Sequence, residues 1–319
     1  MGEDTLLKYI KDELTGEEKQ TVVSWINKSE KNRQRYAVLK AEYTASGFNS
    51  QALDVEKAYR KVRKSGKRKQ RNRKIRSGIA VAAIGLLGYF FFFTRETNIS
   101  NTIVPESMAM VTVVTPKGAS KDIVLPDGTH VVLNADSELN YSKTFNDDVR
   151  EVYLYGEAYF DVVRDTTRPF IVHADDMSIK VLGTSFNVRS YSEDSEIQTT
   201  LVHGSVEIQG TYISPVRLEP LQTASLGKSD KQLEIKSVSR EEAAPWKEGK
   251  LIFRETPLEN VLEDLERKYD VLFEVRSDGL YEYLYTGTFD NLSIDEVLRV
   301  LKISSPITYR KEGQKIILD

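Results

Sequence analysis

Residues 77–94 run eighteen positions without a charge (SGIAVAAIGLLGYFFFFT), and the twenty before them hold twelve Lys or Arg and no acid. As a helix rising about 1.5 Å per residue the stretch reaches ~27 Å, close to the roughly 30 Å hydrocarbon thickness of a bilayer. It lies a quarter of the way along the chain, too late for a signal peptide. Arg76 and Arg95 close its two ends, and the aromatic block 89–93 sits near the second. The cations before it (Lys57, Arg60, Lys61, Arg63, Lys64, Lys67, Arg68, Lys69, Arg71, Arg73, Lys74 and Arg76) are the pattern that keeps an N-terminus cytoplasmic. A single membrane-spanning helix over 75–95 is therefore predicted, with about 75 residues inside and about 225 outside.

The formal net charge of −3 hides a split: without those 12 cations, 33 basic residues face 48 acidic ones, or −15. The basic block is thus local, and beside a span it reads as a topology signal and a contact for anionic lipid rather than a nucleic-acid tail. With no cysteine, disulfides and thiolate metal sites are excluded. Outside the span, about 225 residues suffice for two small domains with their own cores.

Residues 5–64 contain no proline and carry apolar positions at helical spacing. Leu6, Leu7, Ile10 and Leu14 form a first stripe. Thr15 with Glu18 has the spacing of a capping box and starts a second helix bearing Val22, Val23, Trp25 and Ile26. Ser29 caps a third with Tyr36, Val38, Leu39 and Tyr43, and Asp54 caps a fourth with Val55, Ala58, Tyr59 and Val62. Such a small all-α domain, assigned to 1–74, buries little surface, so a partner is expected to complete it.

From Met108 to about Ile235 the period changes to two, with β-branched and aromatic residues between turn signals. Strands are predicted at 111–114, 123–125, 131–133, 151–155, 158–163, 170–174, 179–182, 186–190, 197–202, 205–208 and 223–226, with Pro126-Asp127-Gly128 marking a hairpin. Many short strands without a helix predict an all-β domain over 96–240, a sandwich, barrel or solenoid-like fold. After Pro245-Trp246, strands at 250–253, 271–275, 283–289, 308–310 and 315–318 alternate with two helices, each signalled by a capping box (Thr256 to Glu259, Ser293 to Glu296). Residues 245–319 are therefore predicted as an α+β domain, a doubled β-α-β unit with both helices on one face of a small sheet.

Chemistry is sparse. His130, His173 and His203 are far apart, with no i,i+4 partner that would suit a metal. No G-x-S-x-G, Walker A or strand-linked G-x-G-x-x-G occurs, and the acidic pairs Asp147-Asp148 and Asp175-Asp176 sit in turn-like stretches. One step has reactive potential. Gly183-Thr184 joins two strands in VLGTSFNV, and a threonine hydroxyl beside a strained peptide can attack the preceding carbonyl and nick the chain. The alternative is a turn glycine followed by an ordinary β-forming threonine, and three further Gly-Thr pairs (at 128, 210 and 287) make the dipeptide alone weak.

The runs VLPDGTHVVLNADSELNY (124–141), REVYLYGEAYFDV (150–162), RPFIVHA (168–174), VLGTSFNVRSY (181–191) and TLVHGSVEI (200–208) resemble the FecR family of transmembrane anti-sigma regulators in its Bacteroidetes form. PWKEGKLIF (245–253), PLENVLEDLERKYDV (257–271) and YTGTF (285–289) are similar to that family's C-terminal domain, itself like the short N-terminal signalling domain of secretins and TonB-dependent receptors. SWINKSEKNRQRYAVLKAEY (24–43) resembles the cytoplasmic anti-sigma segment. The resemblance implies an inner-membrane protein with a periplasmic C-terminus. Its inside helices would sequester an extracytoplasmic-function sigma factor, with Leu7, Ile10, Trp25, Ile26, Tyr36 and Leu39 as candidate contacts. Its outside domains would read the signalling domain of a TonB-dependent, SusC-like outer-membrane transporter. Regulated cutting by periplasmic and intramembrane proteases would release the sigma factor, and the family's Gly-Thr cleavage step corresponds to Gly183 and Thr184. No cofactor, metal or direct nucleic-acid contact is implied.

An exposed strand at 283–289 could pair with the transporter domain by strand addition, which makes Tyr283, Tyr285, Thr286 and Thr288 candidate contacts. Two other functions fit parts of the chain: a membrane-tethered DNA-binding regulator using Arg60 to Arg76, and an anchored periplasmic glycan-binding protein. The first has no recognition helix separate from the basic run, and the second leaves the N-terminal helices without a role.

Overall fold

The computed structural model describes residues 1–52 and 110–319 apart from 146 and 147, with the backbone alone at 49–52. Three helices open the chain, α1 (Glu3–Ile10), α2 (Gly16–Asn27) and α3 (Glu30–Gly47), followed by a short strand β1 (Asn49–Ala52). The Thr15/Glu18 capping box forms, and the Ser29 side chain accepts a hydrogen bond from the Asn32 N–H, so both helix starts sit where the sequence puts them.

Residues 110–237 form a sandwich of two sheets that share one long strand. The first sheet runs β2 (Met110–Thr115), β5 (Ser137–Ser142), β6 (Arg150–Asp161), β7 (Phe170–Ala174), β8 (Met177–Val181), β11 (Val206–Gly210) and β12 (Ile213–Leu218). The second runs β3 (Lys121–Val124), β4 (His130–Leu133), β6 again, β9 (Ser185–Ser190), β10 (Glu196–His203), β13 (Gln222–Gly227) and β14 (Leu233–Ser237). β6 pairs with the first sheet up to Tyr155 and with the second from Gly156. Gly156, at φ +92°, is the crossing point, because a Cβ there would lie 2.3 Å from Ser137 Oγ.

Even-numbered residues of β6 (Val152, Leu154, Ala158, Phe160) face the core with Phe170, Val172, Phe186, Val188 and Leu201, and the Phe160 and Phe186 rings stack 5.2 Å apart. Arg150 is fully buried at the start of the strand. Its Nη1 donates to Asp127 Oδ2 (2.7 Å) and to the Val163 carbonyl (2.9 Å), pinning the turn between β3 and β4.

The C-terminal unit comprises β15 (Lys250–Pro257), α4 (Leu258–Tyr269), β16 (Leu272–Val275), β17 (Tyr283–Asp290), α5 (Ile294–Ser304), β18 (Tyr309–Glu312) and β19 (Lys315–Leu318). Its strands divide between two three-stranded sheets, β1-β17-β15 and β16-β19-β18, rather than forming the one small sheet expected. Leu258, Val261, Leu262 and Leu265 of α4 and Val297, Leu298, Val300 and Leu301 of α5 supply the shared core. α4 starts without the expected Thr256 cap, since Thr256 Oγ1 accepts from the Arg254 N–H and Pro257 takes the N-cap position.

The expectation of a membrane protein with a separate all-α N-terminal domain and one transmembrane helix is corrected here. Among the described residues no helix is long and apolar enough to cross a membrane. The segment 77–94, the basic run and the fourth helix predicted from Asp54 all lie outside the described residues. The N-terminal region is neither all-α nor independent: it ends in β1, which pairs with β17, and Ala41 and Phe48 belong to the core of the C-terminal unit. The physical reason is a thin core, for Leu6, Val22 and Ala41 are the buried apolar residues of the three helices and Ala41 already faces the C-terminal unit. In the described residues the end of the N-terminal segment and the C-terminal unit share one core.

Candidate functional site

Alternation along β6 puts Glu157 and Tyr159 on the outer face of the second sheet, opposite Arg189 and Asn187 of β9. Side chains there ordinarily meet water, yet Glu157 is 5% exposed because the C-terminal unit covers that face. One Glu157 oxygen accepts from Asn187 Nδ2 and the other from Asn134 Nδ2, each at 2.8 Å, and Trp246 Nε1 donates to Asn187 Oδ1 at 3.1 Å. Burial pushes the Glu157 carboxyl up from its ordinary range, against the pull of Arg189 and the two amides.

Beside it lies a network of charges from both units. Arg189 pairs with Asp194 (2.6 Å) and Asp264 (2.8 Å), and Arg267 pairs with Glu193 (2.6 Å), Asp194 (3.1 Å) and Asp264 (2.9 Å). The Arg267 guanidinium also lies 4.1 Å from the centre of the Tyr191 ring. Burial alone would raise the Asp264 carboxyl, but Arg189 and Arg267 outweigh it and hold the group below its usual value. Between the units remains a cavity of about 400 Å³, lined on one side by Asn134, Glu157 and Thr200 and on the other by Trp246, Lys247 and Lys268. Among the described residues, no group of three or more His, Asp or Glu is placed to hold a metal ion.

None of this network was singled out in the sequence. A signal existed in α4: Asp264 and Arg267 stand at i and i+3, flanking the apolar stripe of Val261, Leu262 and Leu265. A polar stripe, however, ordinarily faces water. Only the sandwich face it meets makes it an interface.

The Gly183-Thr184 step lies between β8 and β9. Gly183 has φ +154°, and a Cβ there would sit 2.7 Å from the Arg164 Cα. Thr184 is buried, and its Oγ1 donates to the Ser205 carbonyl at 2.9 Å. A Cβ on Gly204 would come within 2.8 Å of that oxygen, so Gly204 makes room for the hydroxyl.

Leu7, Ile10, Trp25, Ile26, Tyr36 and Leu39 are all half-buried. Tyr9 and Tyr36 meet edge to face with centroids 5.9 Å apart, and burial followed by Tyr9, Glu296 and Asp290 raises the Tyr36 phenol to about 12. α3 thus lies against α5. Of the four strand residues, Tyr285 is buried, Tyr283 and Thr286 are half-buried and Thr288 is exposed. Their strand β17 is central in its sheet, with β15 on one side and β1 on the other. Phe48, which carries no local signal in the sequence, fills the aromatic cluster of Phe253, Tyr285 and Phe289.

Comparison with known proteins matches both halves of the polar network. The family model for FecR protein matches residues 111–207, and that for FecR, C-terminal, matches residues 250–318. Two crystal structures of a candidate anti-sigma factor from Parabacteroides distasonis ATCC 8503, at 2.50 and 1.65 Å, superpose with TM-scores of 0.63 and 0.62. Each is 34% identical to this chain, and the match covers 66% of this chain and 98% of the other. Comparison with curated proteins gives no match.

Proposed function

Given that the chain belongs to the FecR family, we propose that it is an anti-sigma regulator whose N-terminal helices sequester an extracytoplasmic-function sigma factor. The observation that carries this reading is the 34% identity to a candidate anti-sigma factor across 98% of that protein. The half-buried stripe Leu7, Ile10, Trp25, Ile26, Tyr36 and Leu39 supports it, because helices with so little core of their own leave apolar surface for a partner. In the same reading the C-terminal unit receives the signal from the signalling domain of a TonB-dependent outer-membrane transporter. Proteolysis then releases the sigma factor.

The nick that begins proteolysis falls at Gly183-Thr184 in this scheme. The Thr184 Oγ attacks the Gly183 carbonyl carbon, the C–N bond breaks, and the hydroxyl proton goes to the freed Thr184 amine. Water then hydrolyses the ester. The geometry that favours it is the positive φ of Gly183 beside a buried hydroxyl.

The test is retention of a sigma factor from cell extract by the immobilised full chain. Wild type should hold one, and Trp25→Ser with Ile26→Ser should reduce retention at least tenfold. Retention of no sigma factor by the folded wild-type chain overturns the reading.

A further inference from the structure

The cavity of about 400 Å³ between the sandwich and the C-terminal unit plays no part in holding a sigma factor, yet it falls within the size range of small-molecule sites. One wall is a fixed chain of polar groups. Asn134, Glu157 and Asn187 line it, and Glu157 and Asn187 are both buried. Asn134 Nδ2 and Asn187 Nδ2 each donate to one Glu157 oxygen at 2.8 Å, and Trp246 Nε1 donates to Asn187 Oδ1 at 3.1 Å. An amide nitrogen carries two N–H groups and a carboxyl oxygen accepts more than one bond. Each amide therefore keeps a second donor beside an oxygen with spare acceptor capacity, and a hydroxyl, which donates and accepts at once, suits that pairing.

The opposite wall is cationic. Lys247 Nζ lies 3.4 Å from the centre of the Tyr159 ring, and Lys268 Nζ donates to the Gly249 carbonyl at 2.8 Å. Neither ammonium forms an ion pair among the described residues. Burial lowers both from their ordinary range, against the pull of Asp161, Asp122 and Glu248 on Lys247 and of Asp290 on Lys268. A desolvated cation without a paired carboxylate gains most from an anion. The other carboxylates of the lining are already engaged, Glu242 by Arg254 and Asp264 by Arg189 and Arg267. Trp246 lines the same cavity, its indole held in place by the bond to Asn187.

We propose that this cavity is a binding site for a sugar acid, whose hydroxyls meet Asn134, Glu157 and Asn187, whose carboxylate meets Lys247 and Lys268, and whose ring packs on Trp246. The upward shift of the Glu157 carboxyl limits its repulsion of the ligand's carboxylate. Because such a ligand touches both units, its binding opposes their separation. The site does not depend on the anti-sigma reading: sugar binding without sigma-factor retention removes that reading alone, and the converse removes the site alone.

The experiment is calorimetric titration of the full-length chain with D-galacturonate, D-glucuronate, D-galactose and acetate. At least one uronate should bind at one site per chain, at least tenfold more tightly than galactose, and acetate should give no saturable heat. Lys247→Met with Lys268→Met should weaken the uronate at least tenfold and leave galactose unchanged, a split that misfolding would not produce. Asn134→Ala should weaken both sugars at least tenfold. Saturating uronate should also raise the unfolding temperature of wild type and not that of the double lysine variant. No saturable binding of either uronate, acetate bound as tightly as the uronate, or uronate affinity unchanged in the double lysine variant overturns the proposal.

Discussion

Arg267 of α4 reaches Asp194 in the turn after β9 with Nη2 3.1 Å from Oδ1, both side chains buried at 5% and 7% exposure. The same guanidinium holds Glu193 and Asp264, and the Arg267 carbonyl accepts the Gly118 N–H at 2.7 Å. One residue therefore ties the C-terminal unit to two separate turns of the sandwich. Desolvating so many charges makes the network a poor source of net stability, but it is highly specific about how the two units meet.

Arg267→Met leaves Glu193, Asp194 and Asp264 with Arg189 as the remaining cation of the network. Removing one partner of a buried ionic group costs about 3–5 kcal/mol. Because the loss falls at the boundary, the sandwich and the C-terminal unit should separate into two calorimetric transitions where wild type shows one. A single transition at the wild-type temperature would show that the network does not couple the units.

Gly156→Ala tests the crossing strand. The new methyl group meets Ser137 Oγ at 2.3 Å and occupies a φ of +92°, and Ser137 Oγ is already the acceptor for the Glu157 N–H (2.9 Å). Strain and overpacking together should cost about 3 kcal/mol, read as a lower urea midpoint. A shift below about 1 kcal/mol would mean that β6 can cross between sheets without glycine.

Legibility in the sequence follows locality. The capping boxes at Thr15 and Ser293 form, because a box involves only four consecutive residues. The Asp127-Gly128 turn also forms, with Asp127 Oδ1 accepting the Thr129 N–H. Gly156 misled: it reads as a break between two strands, and the chain uses it to continue one strand from sheet to sheet. Ser137–Ser142, Ile213–Leu218 and Leu233–Ser237 are too polar to signal strands alone, and become strands by pairing with neighbours. Glu157, Asp194 and Arg267 are ordinary surface types by composition, and their burial follows from docking of two units, which no local pattern encodes. Phe48 belongs to the same class, lying 239 positions from Gly287 (287 − 48) in the sequence.

Thr184 separates chemistry from packing. Thr184→Ala keeps the Cβ but removes the γ-methyl and the hydroxyl bonded to the Ser205 carbonyl, whereas Thr184→Ser keeps the hydroxyl. Immunoblots of cells should show two fragments for wild type and Thr184→Ser, and intact chain for Thr184→Ala. An intact wild-type chain would end the cleavage proposal. Gly183→Ala should instead lower stability, since its Cβ meets the Arg164 backbone.

Glu263, one turn before Arg267 on α4, gives the stability of the chain a pH dependence. Its Oε2 is buried without a hydrogen-bond partner, and burial, aided by Asp194, Glu259 and Glu193 against Arg267, pushes its carboxyl from 4.5 up to about 7. Below about pH 4.5 both folded and unfolded chains carry the proton and no penalty arises. Between 4.5 and about 7 the unfolded state releases the proton while the folded state keeps it, so stability falls as pH rises and the loss is complete above 7. Glu263→Gln removes that loss. The variant should match wild type at pH 4.5 and exceed it at pH 8 by about 1–2 kcal/mol, a figure reduced for the half-exposed position of the group. Urea unfolding at both pH values measures it, and a difference between variant and wild type that does not change with pH would show that folding leaves the proton occupancy of Glu263 unchanged.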